Sequence, residues 1–295
     1  MLGSEEEIIN PPMRLDTRVA QELEDKSRSY ANKLIKIGNV KVNRVAVLKP
    51  SYMISDKDNL EITDQVAPVD APVFNVEIIH EDDSCIILNK PLGMLTHAKG
   101  AFHPEETVAS YIKPKLSKLF KDTNRDGIVH RLDRATSGVI LCAKTPEAEK
   151  WYQSQFADRK VKKTYLAVCA GKLKHQKAVI DLPIERNPKE PQFFRVGAHG
   201  KPSVTDYEVM AETKLKTKDY SLVKLTPTTG RTHQLRVHLA ELGNPILGDT
   251  FYDGTKYDRL MLHAYQLEIT MFGSKERSTF TAPVPAIFKD FGYAG

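Results

Sequence analysis

No apolar run in this chain approaches the ~18 residues that a membrane span needs, and no Cys-x-x-Cys pair occurs. Cys85, Cys142 and Cys169 are scattered and odd in number, which argues against a disulfide framework and against a structural zinc site. The His-x-x-x-His spacing is also missing. His233 and His238 would diverge by about 140° on a helix, so they do not share a face as two metal ligands would. The first ten residues carry Glu5, Glu6 and Glu7 in place of a basic stretch and an apolar one, so a secretory signal is not expected. These absences point to a reducing compartment, the cytoplasm, to a protein without membrane contact, and to chemistry without a metal.

What the chain does contain is a small positive excess placed unevenly. Its 295 residues suggest two domains at about 150 residues each, and 43 Lys and Arg against 38 Asp and Glu leave a net charge of +5. Two stretches are free of acid. Lys26, Arg28, Lys33, Lys36, Lys41, Arg44 and Lys49 make up the first; Arg159, Lys160, Lys162, Lys163, Lys172, Lys174 and Lys177 make up the second. A solvated basic face would explain either one alone. Two in a nearly balanced chain favour a polyanion, whose counterions are released on binding.

Residues 14–64 read as a small α/β unit after a tail at 1–13. Asp16 is placed to cap a helix to about Glu24 with Leu15, Val19 and Leu23 on one stripe. Ser27 or Ser29 is placed to cap a second, with Tyr30, Leu34 and Ile37 inward and Gly38 ending it. Val40, Val42 and Val45 then mark a strand, turn and strand. Ser27-Arg28-Ser29 and Ile37-Gly38-Asn39-Val40-Lys41-Val42-Asn43 resemble the S-four RNA-binding domain, with Arg44 where that family usually has Gly. The resemblance implies RNA contacts by Arg28, Lys33, Lys36, Lys41 and Arg44. A linker follows at 65–75, containing Pro68 and Pro72. Residues 76–295 alternate strand-like and helical runs irregularly, as in an α+β domain. Its clearest helix starts with Thr145 as cap and Pro146 in the first turn.

Three segments carry chemistry. Gly127 to Gly138 places Asp133 between Arg131 and Arg134 in a polar turn before an apolar strand; a carboxylate there can serve as nucleophile or base, or can simply cap the turn. Thr229 to His238 puts Arg231 at a helix start, suited to an anion. Lys163-Thr164-Tyr165 opens a strand with an aromatic that can stack on a base or pack in the core.

Taken in order, Leu88-Asn89-Lys90-Pro91-Leu92-Gly93-Met94, His130-Arg131-Leu132-Asp133 with Thr136-Ser137-Gly138, Lys163-Thr164-Tyr165, Gly230-Arg231-Thr232-His233-Gln234-Leu235-Arg236 and Leu262-His263-Ala264 resemble the pseudouridine synthases of the RluA type. The resemblance implies a mixed, mainly antiparallel sheet flanked by helices around a central cleft. It also implies isomerisation of uridine in structured RNA without cofactor or metal. Asp133 would be the essential carboxylate, acting on base or ribose, or as a base at the sugar. Arg231 would pair with it and Tyr165 would stack on the target base. Leu262, Arg131, His130 and Lys163 would contact substrate. Large-subunit ribosomal RNA is the leading substrate on this reading. Transfer RNA is the alternative, and an RNA-binding assembly factor without turnover is the competing class.

Overall fold

The computed structural model describes residues 11–24, 26–64, 74–98, 105–120 and 125–295. The expected linker lies mostly outside them, as does most of the expected tail. By their contacts the described residues fall into two compact units, one within Met1–Pro72 and Ala98–Glu105 and the other within Val73–His97 and Glu106–Gly295.

The smaller unit runs β1 (Met13–Arg14), α1 (Leu15–Glu22), α2 (Arg28–Lys36), β2 (Val40–Val42), β3 (Val45–Ala46), β4 (Met53–Ile54) and β5 (Leu60–Ile62). Leu15, Val19, Ala31, Leu34, Ile35, Val40 and Val42 form its core. Two expectations are corrected here. Asp16 does not cap α1, whose N-cap is Arg14. It lies buried in the first turn and accepts hydrogen bonds from Arg14 Nε at 3.0 Å and Arg28 Nη2 at 3.2 Å. Those bonds, Arg14's first, outweigh burial and hold the carboxyl well below the usual range, so the acid ties the two helices together. Ile37 is 46 % exposed, and Ile35 fills the inward position instead. Ser27 is the cap of α2, accepting from Tyr30 N at 3.3 Å. Val42 pairs with Val45 across a two-residue turn in which Asn43 has φ 52° and Arg44 φ 69°. A turn this tight needs positive φ at both central residues. Arg44 therefore adopts the backbone that glycine would take without strain.

The larger unit continues with β6 (Glu77–Glu81), β7 (Cys85–Lys90), α3 (Val108–Ile112), β8 (Ser137–Ala143), α4 (Pro146–Ala157), β9 (Lys162–Ala170), β10 (Lys177–Asp181), β11 (Ile184–Arg186), β12 (Phe194–Val196), β13 (Val204–Leu215), β14 (Lys218–Pro227), α5 (Gln234–Glu241), β15 (Leu262–Thr270) and β16 (Arg277–Thr281). Nine strands form one sheet in the order β10-β13-β14-β9-β15-β8-β7-β6, with β16 also paired to β15; β11 and β12 form a separate hairpin. Every ladder in the large sheet is antiparallel except β15 with β8. At that joint Gly138 lies opposite Ala264, and a Cβ on it would fall 2.1 Å from the Ala264 carbonyl oxygen. Only glycine lets these strands meet.

Packing on both faces explains the unbroken apolar runs of β7 and β8. Cys85 and Ile87 join Val139 and Leu141 under Ala148 and Tyr152 of α4, while Ile86 and Leu88 join Ile140 under Val108 and Ile112 of α3. Thr145 caps α4, accepting from Ala148 N at 3.2 Å. Leu235 and Leu239 of α5 pack on β9 and β14 through Leu166, Val168 and Val223. The ends of β8, β9 and β15 are thereby brought beside the start of α5.

Candidate active site

The turn bearing Asp133 is pinned from three directions before β8 begins. Thr96 Oγ1 donates to Leu132 O at 2.8 Å and accepts from Leu132 N at 3.2 Å. Lys90 is fully buried, and its ammonium donates to Pro91 O at 2.9 Å, Met94 O at 2.8 Å and Arg134 O at 3.4 Å. Burial pulls the amine down to about 7, opposed by the Asp133 charge. His130 Nε2 accepts from Leu141 N at 2.9 Å, and its ring stacks on Phe156 with centroids 4.6 Å apart. Burial, aided by the Lys163 charge, lowers that imidazole to about 3, so it is neutral. Its role here is to fasten the turn to the sheet. The contact with substrate expected of it competes with these bonds.

The opposite wall is the approach to α5. Gln234 is buried with all its polar groups used: Oε1 accepts from Thr229 Oγ1 at 2.7 Å and Arg231 N at 3.0 Å, while Nε2 donates to Val204 O at 2.9 Å and Thr205 Oγ1 at 3.0 Å. This bracket fixes the Thr229–Arg231 corner against β13. His233 follows in a left-handed conformation, φ 57°, as the N-cap of α5. The two histidines do separate work. His233 Nδ1 meets the Tyr252 hydroxyl at 2.7 Å, and buried His238 bonds Thr205 Oγ1 and Leu182 O, each at 3.0 Å.

Between the walls is a cavity of about 480 Å³. Asp133, Tyr165, Arg231, Leu262, Arg131, His130 and Lys163 all line it, so the residues singled out in separate segments of the sequence converge. Tyr165 is half-buried on β9 beside Ala264 of β15. Burial first, and the Asp133 charge second, push its phenol far above the ordinary range, so the hydroxyl keeps its proton. Lys163 Nζ donates to Thr229 O at 2.9 Å, and burial lowers the amine to about 8.

The pairing expected between Arg231 and Asp133 is corrected by the structure. Arg231 points its Nε to Pro202 O at 3.3 Å. The cation beside the carboxylate is Arg236, whose Nη1 lies 3.6 Å from Asp133 Oδ2, with His233 Nε2 3.8 Å from the same oxygen. Arg236 is held in turn by Asp249 through two bonds of 2.7 Å each. The reason is helical phase. Arg231 precedes α5 and stays on the rim, whereas Arg236 sits in the second half-turn, on the buried side. Arg236 was visible as the last residue of its motif, without a role. Asp249 and Tyr252 lie beyond any motif and gave no signal.

The basic runs differ in the same way. Arg28, Lys33, Lys36, Lys41 and Arg44 are all exposed on the smaller unit, and Arg28 also pairs with Asp16. In the second run, Lys160 pairs with Asp158, Lys172 with Glu212 and Lys177 with Glu208, at 3.0, 3.0 and 2.6 Å. Folding thus brings acidic partners to three of the seven basic residues in a run that is acid-free in sequence. The described residues include one grouping with metal-ligand character, His80, Asp82 and Cys85. Its Asp82 Oδ1 already accepts from Ser84 N, Ser84 Oγ and Cys85 N in the β6–β7 turn. No described helix is long and apolar enough to cross a membrane.

Solved structures share the fold of the larger unit. Human RNA Pseudouridylate Synthase Domain Containing 1 superposes with a TM-score of 0.60 at 28% identity, covering 73% of this chain and 86% of that one. Domain Containing 4 gives 0.56 at 27% identity, covering 72% and 90%. In sequence, a ribosomal large subunit pseudouridine synthase D from Borreliella burgdorferi is 35% identical over 95% of this chain and 88% of its own length. The Escherichia coli protein of that name is 32% identical over 92% and 87%. Residues 84–241 match the RNA pseudouridylate synthase family model, and residues 13–60 match that of the S4 domain. The chain belongs to the RNA pseudouridylate synthase family and is an isomerase of uridine in RNA.

Proposed function

We propose that this enzyme isomerises uridines of large-subunit ribosomal RNA, with Asp133 as its catalytic carboxylate. The observation that carries the reading is the convergence of Asp133, Tyr165 and Leu262 on one cavity, with Arg236 beside the carboxylate. The reaction breaks the bond from uracil N1 to ribose C1′, forms one from C5 to C1′, and moves a proton from C5 to N1. Atoms balance within the nucleotide, so the site needs a carboxylate, a stacking surface and control of water. Asp133 supplies the first. The Tyr165 ring faces the base, and its hydroxyl, held protonated, can assist the proton step. Leu262 supplies an apolar side, and Arg131 at the exposed rim occupies the place vacated by the extruded uridine.

Support for the substrate comes from the names of the relatives and from the exposed cations of the smaller unit, a surface suited to folded RNA. The domain division that goes with this reading is RNA-binding at 14–64 and catalysis at 76–295. Mapping pseudouridines in total RNA from cells with and without the gene tests it. Loss of one or more sites in large-subunit ribosomal RNA is the expected result. Loss confined to transfer RNA would replace the substrate.

A further inference from the structure

We propose that Asp249 and Tyr252 are positioning residues that hold Arg236 and His233 against a single oxygen of Asp133, leaving the other oxygen to the substrate. Both outer residues come from the segment between α5 and β15, and both are buried. The inference rests on Asp133 being the catalytic carboxylate.

The geometry of Arg236 carries the first half. An arginine next to one carboxylate ordinarily closes on it as a fork with two short bonds. Here the fork is already spent. Nε and Nη2 of Arg236 both bond Asp249, at 2.7 Å, and only Nη1 is left to approach Asp133, at 3.6 Å. Asp249 therefore draws the arginine back by almost an ångström from a hydrogen-bonded ion pair with Asp133. The positive charge stays near the carboxylate without covering it. The rings of Phe251 and Tyr252 flank the guanidinium, their centroids 5.3 and 5.0 Å from its carbon.

The second half is a matter of proton direction. The Tyr252 hydroxyl accepts from Phe194 N at 3.1 Å and, in the tautomer we assign, gives its own proton to His233 Nδ1 across the 2.7 Å contact. A neutral imidazole that accepts at Nδ1 carries its proton on Nε2. That N–H lies 3.8 Å from Asp133 Oδ2, the oxygen that Arg236 also faces. Among the described residues, neither Asp133 oxygen takes part in a hydrogen bond of ordinary length. Two donors therefore wait beside one oxygen without engaging it. They are placed to close on that oxygen as the other one reacts.

The test compares single-turnover rate with RNA affinity, using in-vitro-transcribed large-subunit ribosomal and transfer RNA as the substrate pool. Asp249→Asn keeps the shape and one acceptor but lets Arg236 swing to Asp133. The expected result is a rate loss of about 30-fold with RNA affinity within about twofold of native. In an Arg236→Gln background the same change should cost less than about twofold, because Asp249 then has nothing to restrain. A native-like rate for Asp249→Asn, an equal cost in both backgrounds, or a parallel loss of affinity would each overturn the inference. If Asp249→Asn does not fold, Tyr252→Phe decides: a loss of about fivefold or more at unchanged affinity supports the inference, and the native rate overturns it. Asp133→Asn is assayed in parallel. Activity in that variant removes the catalytic reading itself, whereas an inactive Asp133→Asn beside a fully active Asp249→Asn removes only the positioning.

Discussion

Arg236 places Nη1 3.6 Å from Asp133 Oδ2, at the foot of the cavity and five residues beyond the arginine that the sequence put there. Replacing each arginine by lysine separates them. Lysine cannot hold Asp249 and face Asp133 together. Arg236→Lys should therefore lower the single-turnover rate roughly 100-fold, the scale of removing one fixed donor from an active site. Arg231→Lys, which changes a contact to Pro202 O at the rim, should cost less than about tenfold. Measured single-turnover rates in the reverse order would return Asp133's partner to Arg231.

His130 makes the larger unit sensitive to acid. Its imidazole sits at about 3 against an ordinary 6.5, lowered by burial and by Lys163. Between those values the unfolded chain binds a proton that the folded one does not, so stability falls as the pH drops through this window. His130→Gln keeps an acceptor for Leu141 N and removes the titration. Thermal unfolding midpoints measured from pH 7 to pH 4 should fall less steeply for the variant than for the native protein. Parallel curves would show that His130 is protonated without cost.

Lys90 is a buried donor that ties the Asp133 turn to the Pro91–Met94 loop. Lys90→Met leaves the stem's volume but strips donors from the carbonyls of Pro91, Met94 and Arg134. A loss of about 2 kcal/mol is expected, the scale of unsatisfied buried acceptors. Because Arg134 follows Asp133 directly, turnover should fall further than stability does when both are measured well below the melting temperature. Unchanged melting and unchanged turnover would place the Asp133 turn under other control.

At the tip of the β2–β3 hairpin, Arg44 holds φ 69°. Arg44→Gly should relieve about 0.5–1 kcal/mol of backbone strain. It should also weaken RNA binding and lower the salt slope by about one counterion. Calorimetry and a salt titration read the two effects separately. Tighter RNA binding by the glycine variant would mean that the side chain is not at the interface.

Local signals made much of the fold readable. The apolar runs of β7 and β8, the Thr145 and Ser27 caps and the Gly38 stop each depend on neighbouring residues alone. The strands without such signals were β1, β4, β10, β11, β12 and β16, which run for only two to five residues and are too short to show a clear period in sequence. Asp16 and Ile37 were misplaced because a cap and a stripe were inferred where tertiary contacts decide. In the site, the motif residues line one cavity. The couplings were not legible in sequence, because Asp249 on Arg236, Tyr252 on His233 and Glu208 on Lys177 join segments that only the folded chain brings within reach.

The most direct measurement is pseudouridine formation by Asp133→Asn, read by carbodiimide mapping of large-subunit ribosomal RNA after incubation with the purified variant. The substitution keeps the size of the side chain and removes its charge. A folded protein that binds RNA as the native one does but forms product at least about 1,000-fold more slowly is the expected result. Turnover at the native rate would contradict the account at its centre.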